Sequence, residues 1–317
     1  MITLIQSAIR LSAAFLFGST GEIITEKSGH LNLGVPGIMF VGAAGGCVGI
    51  SKYISSFDDV SQASGFLAIL IGVVVCFICA GLLGVLYSFL TVSLRVNQNI
   101  TGLAITTFGI GLSDYMISNV NRPGLRYMSK YFITLFPFSE KLGAFGKLFF
   151  SYGILVYSAI IIAILVNVFF KKTKVGLKLR SVGENPATAD ACGVNVIKYR
   201  YLATIIGCGI SGLGGLFYIM DYIAGNWEYN IDAIGWLCVA LVIFAVWKTH
   251  FAIIGSIIFG ALYIASSYIE CPSQYLELIK MLPYVATIIV LIITSIIGHK
   301  DVQPPQALGQ NYFREDR

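Results

Sequence analysis

Neutral amide and hydroxyl side chains beside apolar stretches are the residues of this sequence best suited to chemistry. In the segment 97–104, NQNITGLA, the residues Asn97, Thr101 and Ala104 follow one another at i, i+4 and i+7, which would place them on one face of a helix. Amides and hydroxyls bind uncharged polar molecules through hydrogen bonds. The pattern therefore predicts contact with a hydroxylated or heterocyclic solute, and hydrogen bonding between helices is the alternative.

A second polar segment, 29–39 with the sequence GHLNLGVPGIM, combines an amide with residues that interrupt helices. Asn32 is followed by Gly34, Pro36 and Gly37, and glycine and proline loosen or end a helix. Backbone groups freed at membrane depth must be satisfied by protein or by a water-filled cavity. Transporters use such broken helices to hold polar solutes, so Asn32 and Gly34 are candidates for a solute path. A simple kink is the alternative.

Ionisable residues inside apolar stretches also point to function, because each costs several kcal/mol in lipid unless it is paired or hydrated. Arg10, Glu22, Asp114 and Asp221 are of this kind. They could line a solute path, or they could pair with neighbouring helices or reach the membrane interface near a helix end. Trp227, on a turn after Asp221, is predicted to cap such a path or to lie in an aromatic belt.

Catalytic signatures are absent from the sequence. It contains no GxxxxGK[ST], HExxH or GxSxG motif, so ATP hydrolysis by this chain is not expected. His30, His250 and His299 have no metal-ligand spacing and are predicted to lie at membrane edges. The seven cysteines, an odd number, indicate neither a disulfide framework nor a metal site.

The elements that must position these residues are membrane-spanning helices. Hydrophobic residues make up 56% of the chain and charged residues only 12%, far below the proportion of charge in soluble domains. Because a spanning helix needs about 20 largely apolar residues, the sequence predicts an all-α, polytopic transmembrane helical bundle of about nine spans, with eight or ten as alternatives. The predicted spans are 2–24, 33–50, 65–92, 100–118, 148–170, 201–224, 234–247, 251–269 and 281–298; the second, rich in glycine, is expected to be a broken helix.

The segment 171–200, KKTKVGLKLRSVGENPATADACGVNVIKYR, is a basic loop with one short capped helix. Asn185 can cap the amino end, Pro186 suits the first turn, and Gly193 can take the left-handed position after the last turn. A helix this short is unstable alone in water, so it is expected to dock onto another protein. The seven basic residues against two acidic ones place the loop on the cytoplasmic side.

With that loop inside, the loop 119–147 is predicted to be external and the carboxyl-terminal tail cytoplasmic. The chain then divides into a permease domain, 1–298, which includes the loop 171–200, and a polar tail, 299–317, expected to be disordered. The formal net charge of +5 is concentrated in loops, which indicates topology rather than nucleic-acid binding.

These motifs resemble the permease subunits of bacterial ABC importers of the branched-chain amino acid, ribose and nucleoside type. The resemblance is closest to the simple-sugar and nucleoside branch. It rests on four stretches: 21–29, the run from Asn32 to Met39, the run from Asn97 to Ala104, and the run from Gly176 to Val194. Two positions depart from the usual pattern, Pro36 in place of Glu and Thr106 in place of Asn, and both lie on the presumed solute path.

The resemblance implies that Glu184, Asn185, Pro186 and Gly193 belong to a helix that couples the permease to a separate ATPase subunit. ATP and magnesium would be bound by that partner and no cofactor by this chain. The resemblance also implies a second permease subunit, forming a heterodimer, and an extracytoplasmic solute-binding lipoprotein. Such a complex lies in the bacterial plasma membrane and imports a small polar solute, here a nucleoside or related sugar.

A stand-alone channel or secondary carrier for a small polar solute is the main alternative. Such a protein would not need the capped helix at 185–193. An intramembrane enzyme is a more distant alternative, because the sequence offers no pair of nucleophile and base.

Overall fold

The computed structural model describes residues 2–134, 143–268, 278–297 and 303–313. These residues form helices and connecting segments, with no strand among them. The α-helices are α1 (Ile2–Glu26), α2 (Val35–Ile54), α3 (Gly65–Ser88), α4 (Gln98–Ile117), α5 (Arg122–Phe132), α6 (Gly143–Phe149), α7 (Ile154–Lys172), α8 (Lys174–Glu184), α9 (Pro186–Ala191), α10 (Val196–Phe217), α11 (Ile231–Phe244), α12 (Thr249–Tyr268) and α13 (Leu282–Ile297). One π-helical turn extends α3 to Ser93 and another extends α10 to Tyr222.

Each of the nine predicted spans overlaps one long helix: α1 to α4, α7 and α10 to α13. Within the described residues, five helices are long and apolar enough to cross a membrane: α2, α3 with its extension, α4, α7 and α10 with its extension. The helices α11 to α13 contribute shorter apolar segments, and α1 carries three charged residues in its 25 positions. The all-α, multi-span class is therefore confirmed, and the number nine stays a prediction.

The helix α2 lies at the centre of the bundle, where it packs against α3, α4, α10 and α11. Its close contact with α10 depends on glycine. A β-carbon added to Gly42 would lie 2.6 Å from the α-carbon of Gly212, so a larger residue would force the two backbones apart. Small residues at such crossings are the usual means by which membrane helices approach one another.

The expected break inside the second span is not observed, and this prediction was wrong. The helix α2 runs without interruption from Val35 to Ile54. Pro36 lies in its first turn, where a missing backbone N–H removes no helical hydrogen bond. The irregular backbone in this part of the chain precedes the helix, at residues 27–34, which we call the α1–α2 connector.

The two ends of the bundle hold different segments, and one of them carries the basic segment 171–200. At one end, the basic end, lie the α1–α2 connector, α8, α9 and residues 303–313. At the opposite end, α5 packs against the turn Tyr218–Tyr222 that extends α10. This arrangement puts 122–132 on the side away from α8 and α9. Alternation of sides from the internal loop 171–200 predicts this position for the loop 119–147, although the basic residues of 119–147 would themselves favour the inside. Residues 135–142 of this loop lie outside the described part.

Two segments at the basic end are more ordered than the sequence suggests. The basic loop 171–200 contains two helices, α8 and α9, together with the start of α10. The tail was expected to be disordered, but residues 303–313 pack onto the bundle. The backbone N–H of Ala307 donates to the carbonyl of Gly183 (3.0 Å) and that of Gly309 donates to the carbonyl of Gly29 (3.2 Å). The boundary predicted at 298–299 lies outside the described residues.

Candidate functional site

The short helix α9 is built as its sequence predicts. The Asn185 side-chain oxygen accepts a hydrogen bond from the backbone N–H of Thr188 (3.0 Å), and Pro186 opens the helix. Gly193 follows in the left-handed region with φ of +79°, which glycine adopts without steric cost. Glu184 and Asn185 are exposed, and together they help to line a groove of about 350 Å³ between α8 and α9.

Asn32 holds the α1–α2 connector in place from inside the bundle. Its backbone N–H and its side-chain amide both donate to the Glu22 carboxylate (3.2 Å each), and its side-chain oxygen accepts from the backbone N–H of Gly34 (2.9 Å). Glu22 is only 1% exposed. Gly34 lies against α4, where an added β-carbon would be 3.0 Å from the Ile105 side chain. Both candidates therefore fix the connector against α1 and α4.

Sequence reasoning missed the polar groups that surround the connector. The Gln98 side-chain oxygen accepts from the backbone N–H of Leu31 (2.8 Å), and the Tyr87 hydroxyl donates to the Leu31 carbonyl (2.6 Å). His30, predicted to lie at a membrane edge, is fully buried with its Nδ1 3.1 Å from the Thr204 hydroxyl. These contacts join residues far apart in the chain, so local spacing gives no signal for them.

The predicted common face of Asn97, Thr101 and Ala104 is not formed. Asn97 precedes α4 and caps it, accepting from the backbone N–H groups of residues 99 and 100. Thr101 is buried and donates to the Asn97 carbonyl (2.8 Å), whereas Ala104 is exposed. Thr106 is also buried, and its hydroxyl donates to the Leu33 carbonyl (3.0 Å). Thr101 and Thr106 thus belong to the inward side of α4.

The outward side of α4 carries a row of small and polar residues, of which only Ala104 and Asp114 were candidates from the sequence. Five exposed residues recur every three or four positions, and we call them the α4 stripe: Ala104, Thr107, Gly111, Asp114 and Ser118. The share of α4 that is buried, 39%, resembles that of α3 (33%) and α7 (28%), but α3 and α7 are far more apolar. Because an exposed carboxylate in lipid is costly, the surface around Asp114 is suited to an aqueous path or to another chain, although the same helix also exposes Phe108 (51%) and Tyr115 (78%).

An aromatic cluster lies beside the stripe at the end opposite the basic one. The rings of Trp227 and Tyr229 lie 6.0 and 6.3 Å from that of Phe40. A hydrogen bond with the Asp114 carboxylate raises the pKa of Tyr229, which is 60% exposed. The Trp227 indole nitrogen is buried and has no hydrogen-bond partner among the described residues. We call Phe40, Asp114, Trp227 and Tyr229 the outer cluster; the exposed Tyr229 ring, the partly exposed Trp227 ring and the Asp114 carboxylate can contact a polar solute, with the buried Phe40 ring behind them.

Asp221 forms an ion pair that joins α10 to α1. The Arg10 Nε lies 2.7 Å from the Asp221 carboxylate, and the Arg10 guanidinium also donates to the Asp221 backbone carbonyl. The Asp221 side chain is fully buried and that of Arg10 is 29% exposed. Of the two alternatives for these residues, pairing between helices is therefore observed.

The sequence matches a family of permeases over nearly its full length. The family described as the permease component of a branched-chain amino acid transport system matches residues 4–291. The chain belongs to this family. TsgC13 of Haloferax volcanii, provisionally named a glucose ABC transporter permease, is 31% identical over 98% of each chain. The nucleoside ABC transporter permease NupC of Lactococcus lactis is 30% identical, covering 98% of this permease and 96% of NupC.

A third relative, the guanosine ABC transporter permease NupQ of Bacillus subtilis, is 27% identical over 99% of this permease and 97% of NupQ. Membership of the family makes the chain a multi-pass transport subunit and not an enzyme, with the ATPase on a separate chain. The resemblance read from the four sequence stretches is thereby confirmed.

Proposed function

We propose that this permease forms the translocation path of an ATP-driven importer for nucleosides or related simple sugars in the bacterial plasma membrane. The observation that carries the proposal is the similarity, over 96% or more of each chain, to permeases named for nucleoside and guanosine transport. The groups that the outer cluster can offer to a solute also support the proposal. A nucleoside or sugar is uncharged, hydroxylated and partly apolar, so it binds through ring stacking and hydrogen bonds.

In this proposal the α4 stripe is the wall of the path. Trp227, with the outer cluster, forms the entrance, and Asn97 lies at the other end of the same exposed side of α4. Asn32, Gly34 and Thr106 support the wall from behind, because their partners are within the bundle. Thr101 is buried on the same side and bonds to the first turn of α4. Asp221 holds α1 and α10 together near the entrance.

A wall exposed on one chain requires a second surface to enclose the solute. We propose a second permease subunit, different from this one, that faces the α4 stripe and completes the path. An extracytoplasmic solute-binding lipoprotein would deliver the solute to the outer cluster. By the positive-inside rule the basic end is cytoplasmic. The lipoprotein would therefore bind at the end of the bundle opposite α8 and α9.

The groove between α8 and α9 is proposed to receive the ATPase subunit, which would hold ATP and magnesium. Glu184 and Asn185 line this groove, and Pro186 and Gly193 begin and close the helix α9 beside it. A six-residue helix keeps a fixed form only when it is packed against other structure, and α9 packs against α8. Held in this way, it could transmit movement between the ATPase and the bundle.

The test is accumulation of labelled guanosine, ribose or glucose by proteoliposomes that contain the full complex. We expect ATP-dependent uptake of at least one of the three solutes. The other two should inhibit this uptake only if they are chemically similar to the transported solute. Uptake that proceeds equally without ATP or without the ATPase subunit would favour the stand-alone carrier. A complex that hydrolyses ATP but accumulates none of these solutes would contradict the proposed solute class.

A further inference from the structure

A cleft of about 300 Å³ opens at the basic end, away from the α4 stripe. Four positively charged side chains and one histidine line it: Lys27, Lys171, Arg180, Lys248 and His250. They come from the end of α1, from α7 and α8, and from the turn into α12. None of the described residues that line this cationic cleft is acidic, so its charge is not balanced within its own walls.

The convergence of these charges is costly, and its effect is visible at Lys27. Burial, and then the positive charge of Arg180, lowers the pKa of Lys27 to about 8. Lys248 lowers the pKa further, whereas Glu184 and Glu26 oppose the change. Like charges held this close raise the free energy of the folded state, and a bound anion would relieve that cost.

The backbone between α11 and α12 is strained in a way that holds Lys248 at the cleft. Val246 and Trp247 both have positive φ values, +52° and +54°, which non-glycine residues rarely adopt. The Trp247 indole N–H donates to the buried Glu26 carboxylate, and this bond anchors the turn to α1. The position of Lys248 is thus fixed by tertiary contacts.

The cleft lies where apolar helix surface meets the basic end. The helix α7, which is mostly exposed and strongly apolar, ends at the cleft. The helix α12 starts there and exposes Phe251 (46%) and Ile254 (60%). Acyl chains can lie along these surfaces while a headgroup reaches the cations, and basic pockets of this kind on the cytoplasmic side suit anionic headgroups.

We propose that the cationic cleft binds the phosphate of an anionic phospholipid of the cytoplasmic leaflet. The apolar flanks formed by α7 and α12 favour a lipid over an acidic segment of the ATPase, which would not need them. The bound phosphate accepts hydrogen bonds from Lys27, Arg180 and Lys248 and links α1, α8 and the α11–α12 turn.

The experiment uses the full-length permease, purified alone in a neutral detergent and titrated with phosphatidylglycerol or phosphatidylcholine. Native mass spectrometry counts the retained lipid and thermal unfolding gives the stabilisation. We expect phosphatidylglycerol, but not phosphatidylcholine, to be retained and to raise the melting temperature. Each removed cation should weaken binding about fivefold, so Lys27→Gln with Lys248→Gln should weaken it about 25-fold.

Lys198→Gln is the matched control, because Lys198 is exposed at the same end but does not line the cleft. Without lipid, the melting temperature of Lys27→Gln should be no lower than that of the wild type, because the substitution removes a positive charge that its neighbours repel. Arg180→Gln, on the exposed side of α8, is a second variant that removes one cation from the cleft. Equal retention of phosphatidylglycerol by the double variant and the wild type would overturn the proposal.

Two further arms separate the sources of the anion. Inorganic phosphate that protects as well as phosphatidylglycerol would overturn the lipid assignment in favour of a free phosphate. Loss of ATPase binding in the double variant, with lipid retention unchanged, would assign the cleft to the partner instead. The binding measurement uses neither transport nor ATP, so a failure of the proposed transport function would leave its outcome unaffected.

Discussion

Replacing Arg10 with methionine should destabilise the permease by about 2–3 kcal/mol, because it leaves the buried Asp221 carboxylate without its charged partner. Breaking a buried ion pair at one side costs about 3–5 kcal/mol, whereas exposed pairs contribute at most about 1 kcal/mol. Asp221 is fully buried but the Arg10 side chain is 29% exposed. Water can therefore partly compensate the change, which lowers the expected cost below the fully buried range.

The assay is unfolding of the detergent-solubilised permease, compared among four proteins. Arg10→Met alone should show the loss, and Arg10→Met with Asp221→Leu should recover most of it, since the double variant leaves no unpaired charge. Arg126→Met removes an exposed arginine of α5 at the same end and should change stability by less than about 0.5 kcal/mol.

The reasoning would be refuted if the double variant were as unstable as Arg10→Met, or if Arg126→Met were equally harmful. Uptake by the double variant adds a second result. Uptake at the wild-type level would limit Asp221 to holding α1 and α10 together. Restored stability with lost uptake would show instead that Asp221 contacts the solute, as the sequence analysis allowed.

The remaining predictions concern the basic end. Glu184→Arg, which reverses an exposed charge beside α9, should reduce co-purification of the ATPase at least about tenfold, whereas Asp58→Arg at the opposite end should not; intact co-purification would contradict docking at the α8–α9 groove. Tyr312→Phe removes a 2.8 Å hydrogen bond to α9 and should speed amide exchange across 303–313 about tenfold, with Tyr201→Phe as an unaffected control and unchanged exchange as the contrary result. Raising the pH from 7 to 9 passes the Lys27 pKa of about 8; the folded state then loses a proton that the unfolded chain keeps at Lys27, so lipid-free stability should rise relative to that of Lys27→Gln, while affinity for phosphatidylglycerol falls about fivefold. A Lys27→Gln variant with the same pH dependence would contradict this.

The helices and the caps of α9 could be predicted because their causes are local. A run of about 20 apolar residues specifies a spanning helix, and the spacing of Asn185, Pro186 and Gly193 specifies a short helix with both ends closed. These features depend on residues within a few positions of one another, so the sequence alone contains them.

The rotation of α4 could not be predicted in the same way. Thr106 and Thr107 are adjacent and chemically identical, yet the Thr106 hydroxyl faces the α1–α2 connector and Thr107 is exposed. Apolar residues occur on both sides of this helix, so periodicity does not identify its buried face. The buried side is set by contacts with α2, which lies far away in the sequence.

The packing of 303–313 was missed for a related reason, and the sequence allowed pairing of Arg10 and Asp221 with neighbouring helices without showing that they pair with each other. The tail is held partly by backbone groups, such as the Ala307 N–H donating to the Gly183 carbonyl, and every residue type except proline has such a donor. Arg10 and Asp221 are 211 positions apart. Only the assembled bundle brings such groups together.

The most direct measurement of the central claim, that the α4 stripe is the wall of the solute path, compares uptake by Thr107→Val and Thr106→Val in the assembled complex. Both variants remove one hydroxyl at nearly constant volume. We predict that Thr107→Val lowers ATP-dependent nucleoside uptake about fivefold or more with the complex intact, because its hydroxyl faces the path. Thr106→Val should keep uptake within about twofold and lose about 1 kcal/mol of stability with its bond to Leu33. Normal uptake by Thr107→Val and lost uptake by Thr106→Val would contradict the account.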